Sequence, residues 1–194
     1  MPHQPVDEAR LARWEGILGA HRFVHDIDGG AGESWRLIGL NTEIMGSGLP
    51  AEAAQQAFLA TALAGAGSRR IAAFLHKPAF LGEPSDPRDY WSVPPEARPA
   101  LAALLHHPGL RLVASGHLHL YRQKRRGDVL FTWAPPASFV CEVEFQGDIP
   151  GERVAGFLLH RLGIDSVETS LVSPIGIKAP FLEDVRAEAY PRSG

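Results

Sequence analysis

The spacing of apolar positions changes along this chain, and the changes mark its elements. In residues 1–20, Leu11, Trp14 and Leu18 recur at spacings of three and four, which predicts a short helix. Residues 22–27 and 35–41 read as strands. The stretch Asp28-Gly29-Gly30-Ala31-Gly32 between them predicts a hairpin turn. Gly46 to Pro50 reads as a loop. Pro50 suits a first helical position, where its missing N–H would be unpaired anyway. Ala51, Ala54, Phe58, Leu59, Ala62 and Leu63 then give a helix over 51–63 its apolar side, and Gly65 and Gly67 end it.

Residues 70–75 and 110–115 are mostly apolar, as strands buried on both faces are. A Pro- and Asp-containing loop over 79–94 and a helix over 95–106, stopped by Pro108-Gly109, separate them. Strand–helix–strand–helix–strand over 35–119 predicts a layered α/β fold. Beyond His119 the texture changes. Residues 129–133, 140–145, 154–161 and 166–172 read as strands without helices between them, which predicts an antiparallel sheet. One domain is expected over 1–177, followed by a loosely ordered tail over 178–194.

Composition narrows the function classes. Across 194 residues, hydrophobic residues make up 45% and charged residues 21%, ordinary globular usage. A formal net charge of −3 gives no basic excess for a nucleic-acid-binding module. The one cysteine, Cys141, allows no intrachain disulfide and fits a reducing cytoplasm. Charges at Asp7, Glu8, Arg10, Arg13 and Glu15 interrupt any signal-peptide core, and no apolar run is long enough to span a bilayer. A cytoplasmic protein without a membrane partner is the expectation.

Candidate chemistry lies in the histidines. His76 ends the apolar run 70–75, and His117 and His119 follow 110–115. In a parallel α/β sheet, ligands bind beyond the carboxyl ends of the strands, so neighbouring strands would bring the three imidazoles to one edge. Imidazole suits Zn, Mn and Fe. In an extended segment His117 and His119 point the same way, and Gly116 permits a bend beside them. His106 and His107 read as a helix C-terminus. His3, His21, His25 and His160 read as surface residues.

Phe74-Leu75-His76-Lys77-Pro78 and Ser115-Gly116-His117-Leu118-His119 resemble the last two motifs of calcineurin-like metallophosphoesterases. Leu37-Ile38-Gly39-Leu40-Asn41-Thr42 is similar to that family's central strand, and Trp133-Ala134-Pro135-Pro136-Ala137-Ser138 to the segment after its Gly-His-x-His. The resemblance covers roughly residues 1–145 and is nearest to cyclic-nucleotide-phosphodiesterase-like members. It implies a metallophosphatase-type layered αββα sandwich, with the N-terminal part missing from this chain. It also implies two divalent metal ions (Mn, Fe or Zn) and hydrolysis of a small phosphate mono- or diester. By the same resemblance, His76 and His117 would bind the second metal and His119 the first.

The family's Asp-x-His, Gly-Asp and Gly-Asn-His-Asp motifs do not occur here, and nothing in the chain matches its general acid. The opening Met1-Pro2-His3 resembles the residues just after the last of them, so the chain is expected to carry only the C-terminal ligand motifs. Two divalent cations repel strongly, and neutral imidazoles offset none of their charge. Of the acids Asp26, Asp28, Glu43, Asp86 and Asp89, none sits at the family's spacing. Glu43 lies just past a strand end, where it could approach the site, but reads first as a solvated loop acid. The alternative is a catalytically inactive family member acting as a binding or scaffold module. No P-loop or Gly-x-Ser-x-Gly is present, and the glycines at 29–32 lead into a strand rather than a helix. The basic run 122–126 reads as a solvated hairpin arm, with attraction of an anionic substrate as its functional reading. Loop 79–94, through Tyr90 and Trp91, is expected to help shape specificity. Missing strands would expose a sheet edge, so self-association is expected.

Overall fold

A computed structural model describes residues 6–29, 33–164, 166–177 and 179–189. Helix α1 (Glu8–Leu18) opens on Asp7, whose carboxylate accepts from the Arg10 N–H at 2.8 Å. Strands β1 (Phe23–Gly29) and β2 (Glu33–Leu40) pair antiparallel, from Phe23 opposite Gly39 to Gly29 opposite Glu33. The predicted turn falls partly on residues 30–32, outside the described residues. Helix α2 (Pro50–Ala64) leads to β3 (Arg70–Leu75), and a 3₁₀ turn (Arg98–Leu101) running into α3 (Ala102–Leu105) leads to β4 (Leu110–Ser115). Then follow β5 (Arg122–Arg126), β6 (Val129–Trp133), α4 (Val143–Gln146), β7 (Phe157–Leu162), β8 (Val167–Val172) and α5 (Leu182–Ala189).

The central sheet has the order β1-β2-β3-β4-β6-β5. Its four inner strands are parallel, and β1 and β5 run antiparallel at the two edges. Period-two alternation divides the inner strands between two cores. On one face Ile38, Leu40, Ile71, Ala73, Leu75, Val113, Phe131 and Trp133 pack with Leu59 and Ala62 of α2 and with Leu101 and Leu104. On the other, Trp35, Ala72, Leu112, Ala114 and Leu130 pack with Val167 and Leu162 of the β7–β8 hairpin. The architecture is therefore α/β, with helices over one face of a mostly parallel sheet and a small second sheet over the other.

Several details depart from expectation. The helix expected over 95–106 is reduced to a 3₁₀ turn and a single helical turn. Arg98 turns inward instead and donates to the carbonyls of Val93, Pro84 and Asp86, at 2.9, 3.0 and 2.5 Å. One buried guanidinium thus organises loop 79–94. Residues 140–145 do not form a strand. Val140 makes an isolated bridge to Phe181, and the following residues turn into α4. The antiparallel sheet expected after His119 divides: β6 joins β4 in parallel, and only β7–β8 stands apart. The tail contains α5, with Leu182 buried and its N–H bonded to the Val140 carbonyl at 2.9 Å. Two histidines read as surface residues are not: the His21 side chain is 3% exposed, and His160 faces the sheet within the second layer. The basic run forms β5, a hairpin arm against β6, whose Arg122 and Arg126 donate to carbonyls of Leu81 and Gly82. Among the described residues no helix is long and apolar enough to cross a membrane.

Candidate metal centre

The parallel strands β2, β3 and β4 end side by side, and the chain turns sharply after each. After β2, the Asn41 side chain caps a 3₁₀ turn (Thr42–Ile44) by accepting the Glu43 N–H at 3.0 Å. Gln55 of α2 holds the backbone of Asn41 from both sides, accepting its N–H at 2.8 Å and donating to its carbonyl at 3.0 Å. That explains a buried glutamine where the apolar pattern placed Ala54, which is exposed. Thr42, fully buried, joins this turn to the next strand. Its hydroxyl accepts from the Lys77 N–H at 2.7 Å and donates to the Lys77 carbonyl at 3.0 Å. The Gly116 N–H then bonds the His76 carbonyl at 3.0 Å, tying β4 to β3.

These links bring Glu43, His76 and His117 together. One ligand atom of each lies within 4.8 Å of the others. Nδ1 of His117 is 3.1 Å from Nε2 of His76, and Nε2 of His76 is 3.4 Å from Oε1 of Glu43. Around a single ion with bonds of about 2.1 Å, neighbouring donors stand about 3–3.5 Å apart, whether octahedral or tetrahedral. The two observed spacings fall in that interval. One carboxylate with two imidazoles is also a donor set suited to Zn, Mn or Fe. The residues present therefore fit a divalent ion.

His119 does not join them. His117 and His119 both have positive φ, 67° and 52°, a region that costs a non-glycine residue about 1 kcal/mol or more. The segment is thus not extended, and the two side chains do not converge as alternation would have them. Between them Leu118 is fully buried, and the Gln146 amide donates to its carbonyl. His119 packs on the Phe139 ring at 4.4 Å, and its Nδ1 meets the Phe139 carbonyl at 2.6 Å. Burial lowers its pKa, against the opposing effect of that carbonyl bond.

Glu43, read first as a solvated acid, is the carboxylate of the cluster, and its side chain is 16% exposed. The other candidate acids are structural. Asp26 pairs with Arg36, Asp28 faces Arg69, Asp86 accepts the N–H groups of Gly82 and Glu83, and Asp89 those of Trp91 and Ser92. Loop 79–94 lines one flank: the Tyr90 and Trp91 rings lie 5.6 and 5.8 Å from His117, with Phe145 5.5 Å beyond Trp91. Lys77 Nζ is 3.7 Å from Glu43 Oε2 and 5.6 Å from the centre of the Tyr90 ring.

No family profile matches the chain, and no curated protein matches it. Solved structures do. GAP50, described as the anchor in the inner membrane complex of Plasmodium, superposes with a TM-score of 0.58 at 15% identity, over 80% of this chain and 50% of that one. A protein assigned as a 5'-nucleotidase of Staphylococcus aureus, in complex with α-ketoglutarate, gives a TM-score of 0.45 at 16% identity, over 80% and 30%. The chain spans half the length of the first and under a third of the second. The likeness to GAP50 is one of fold, and the chain shares that α/β fold.

Proposed function

We propose that this chain binds a divalent metal ion through Glu43, His76 and His117 and serves in metal-dependent hydrolysis of phosphate esters, as a protein of the calcineurin-like metallophosphoesterase type. One observation carries the reading: a carboxylate and two imidazoles converge beyond the carboxyl ends of three adjacent parallel strands, on the segments that resemble that family's ligand motifs. A bound ion would supply a Lewis acid for phosphoryl oxygens and lower the pKa of its water. The chain's own residues supply the rest. Glu43 brings negative charge to offset the ion, and Lys77 sets a cation at the edge of the cluster, where it can attract a phosphate oxygen. Tyr90 and Trp91 keep one flank apolar. In the two-metal form of the mechanism His119 would serve the other ion, and the observed cluster supports only the group at His76 and His117. The buried Cys141 suits the cytoplasm as the working compartment.

The test is hydrolysis of bis(p-nitrophenyl) phosphate by the purified chain with added Mn²⁺. Turnover that requires Mn²⁺ and disappears in His117→Ala supports the reading. A second reading, a binding or scaffold module without catalysis, is favoured by the single carboxylate of the cluster, which suits one ion better than two. A chain that retains Mn²⁺ yet turns over no ester would decide for that reading.

A further inference from the structure

At the opposite end of the same sheet, three arginines line a cavity of about 240 Å³ with Asp128, Ile164 and Val167. Arg70 is the first residue of β3, Arg111 the second of β4 and Arg125 the fourth of β5. Arg111 is placed by an irregularity in the ladder. Ile71 pairs with Leu110 and Ala72 with Leu112, so Arg111 is an extra residue on β4. Such bulges redirect a side chain out of the strand's alternation. Backbone carbonyls orient two of the guanidiniums. Nη1 of Arg111 donates to Pro108 and Leu110, both at 2.8 Å, and Nη2 of Arg125 to Val167 at 3.4 Å. These bonds use one nitrogen of each guanidinium, and each guanidinium has donors on three.

We infer that this cavity binds the phosphate group of a small molecule. Among the described lining residues Arg111 and Arg125 bring two guanidiniums against one carboxylate, with Arg70 beside them, so the lining suits an anion, and planar guanidinium forks match phosphate oxygens. By liquid-water volume the space holds about eight waters, more than a bare phosphate fills. Ile164, which is exposed, offers apolar surface to the organic remainder. Six-residue strands put this cavity on the order of 20 Å from the Glu43 cluster, so it is a separate site.

The test uses the full chain, freed of metal with EDTA, titrated calorimetrically with orthophosphate and, in a second arm, glycerol 3-phosphate. Saturable one-site binding is expected, unchanged in His117→Ala and weakened about tenfold or more in Arg111→Gln and Arg125→Gln, the loss expected for a charge-assisted hydrogen bond. Tighter binding of glycerol 3-phosphate would identify the ligand as an esterified phosphate; equal or tighter binding of orthophosphate would identify free phosphate. Arg125 is exposed, so its variant decides the matter should Arg111→Gln fail to fold. Binding unaffected by Arg125→Gln, binding lost in His117→Ala, or no saturation at roughly 10 mM ligand would overturn the proposal.

Discussion

Thr42 is where fold and site are most tightly coupled, and Thr42→Val tests that coupling. The substitution nearly preserves shape but removes the hydroxyl, which stands 2.7 Å from the Lys77 N–H and 3.0 Å from the Lys77 carbonyl. Two hydrogen bonds at about 1 kcal/mol each are lost, and a buried amide donor left without an acceptor adds about 1–2 kcal/mol. The expected destabilisation is about 3 kcal/mol, or roughly 9 °C in melting temperature for a chain of this size. Thr42→Ser is the control. It keeps the hydroxyl and gives up one methyl, worth about 1 kcal/mol. Urea unfolding with unchanged slope reads the difference directly. Because the hydroxyl fixes the Glu43 turn against the segment carrying His76, Mn²⁺ affinity should also fall about tenfold in the valine variant. A valine variant within about 0.5 kcal/mol of wild type, or no less stable than the serine variant, would show that the hydroxyl does not hold the two segments together.

Two other substitutions probe charge and burial. A hydrogen bond from Arg36 holds the Asp26 carboxyl below its usual pKa, and the same Arg36 donates to the Ala62 carbonyl, joining β1, β2 and α2. A depressed carboxyl stabilises above its unfolded pKa of about 4 and loses that contribution as pH falls through the native value. Asp26→Asn should therefore cost about 2 kcal/mol at pH 7 and progressively less towards pH 2, read from urea midpoints. Burial lowers the pKa of His160, which also bonds Thr169 at 2.7 Å. The unfolded chain then takes up the proton first, so stability is full above about pH 6.5 and falls as pH drops below it. His160→Leu should shrink the loss of stability between pH 7.5 and pH 5. Some slope should remain, because His21 and His119 are lowered by burial as well.

Strands β3 and β4 were legible in the sequence because parallel strands covered on both faces are mostly apolar, and β2 was legible as the second arm of a hairpin. Helix α2 was legible from its proline start and glycine end. Strand β5 was harder to read as a strand, since its inward positions are the cations Arg122, Lys124 and Arg126, which bond the backbone and Glu83 of loop 79–94 while Arg122 and Arg126 lie over the Trp133 and Phe80 rings. Residues 140–145 alternate like a strand, but with only an isolated bridge at Val140 they find no ladder to join. At the site, His76 and His117 were legible from their places at strand ends. Glu43 carried no spacing signal of its own. Its position depends on β2 lying beside β3, a tertiary fact. His119 was placed by a period-two rule that holds only for extended backbone, and positive φ at residues 117 and 119 breaks that rule. Gln55 offered one unused signal: an amide within an apolar helical stripe marks a backbone group that needs a partner.

The proposed metal site joins Glu43, His76 and His117 around one ion. The most direct measurement is Mn²⁺ retained per chain after incubation and desalting, by elemental mass spectrometry, for wild type, Glu43→Gln and His117→Ala. About one ion is expected per wild-type chain and little or none in either variant, with the variants still folded by circular dichroism. A wild-type chain that retains no ion, or variants that retain as much as wild type, would contradict it.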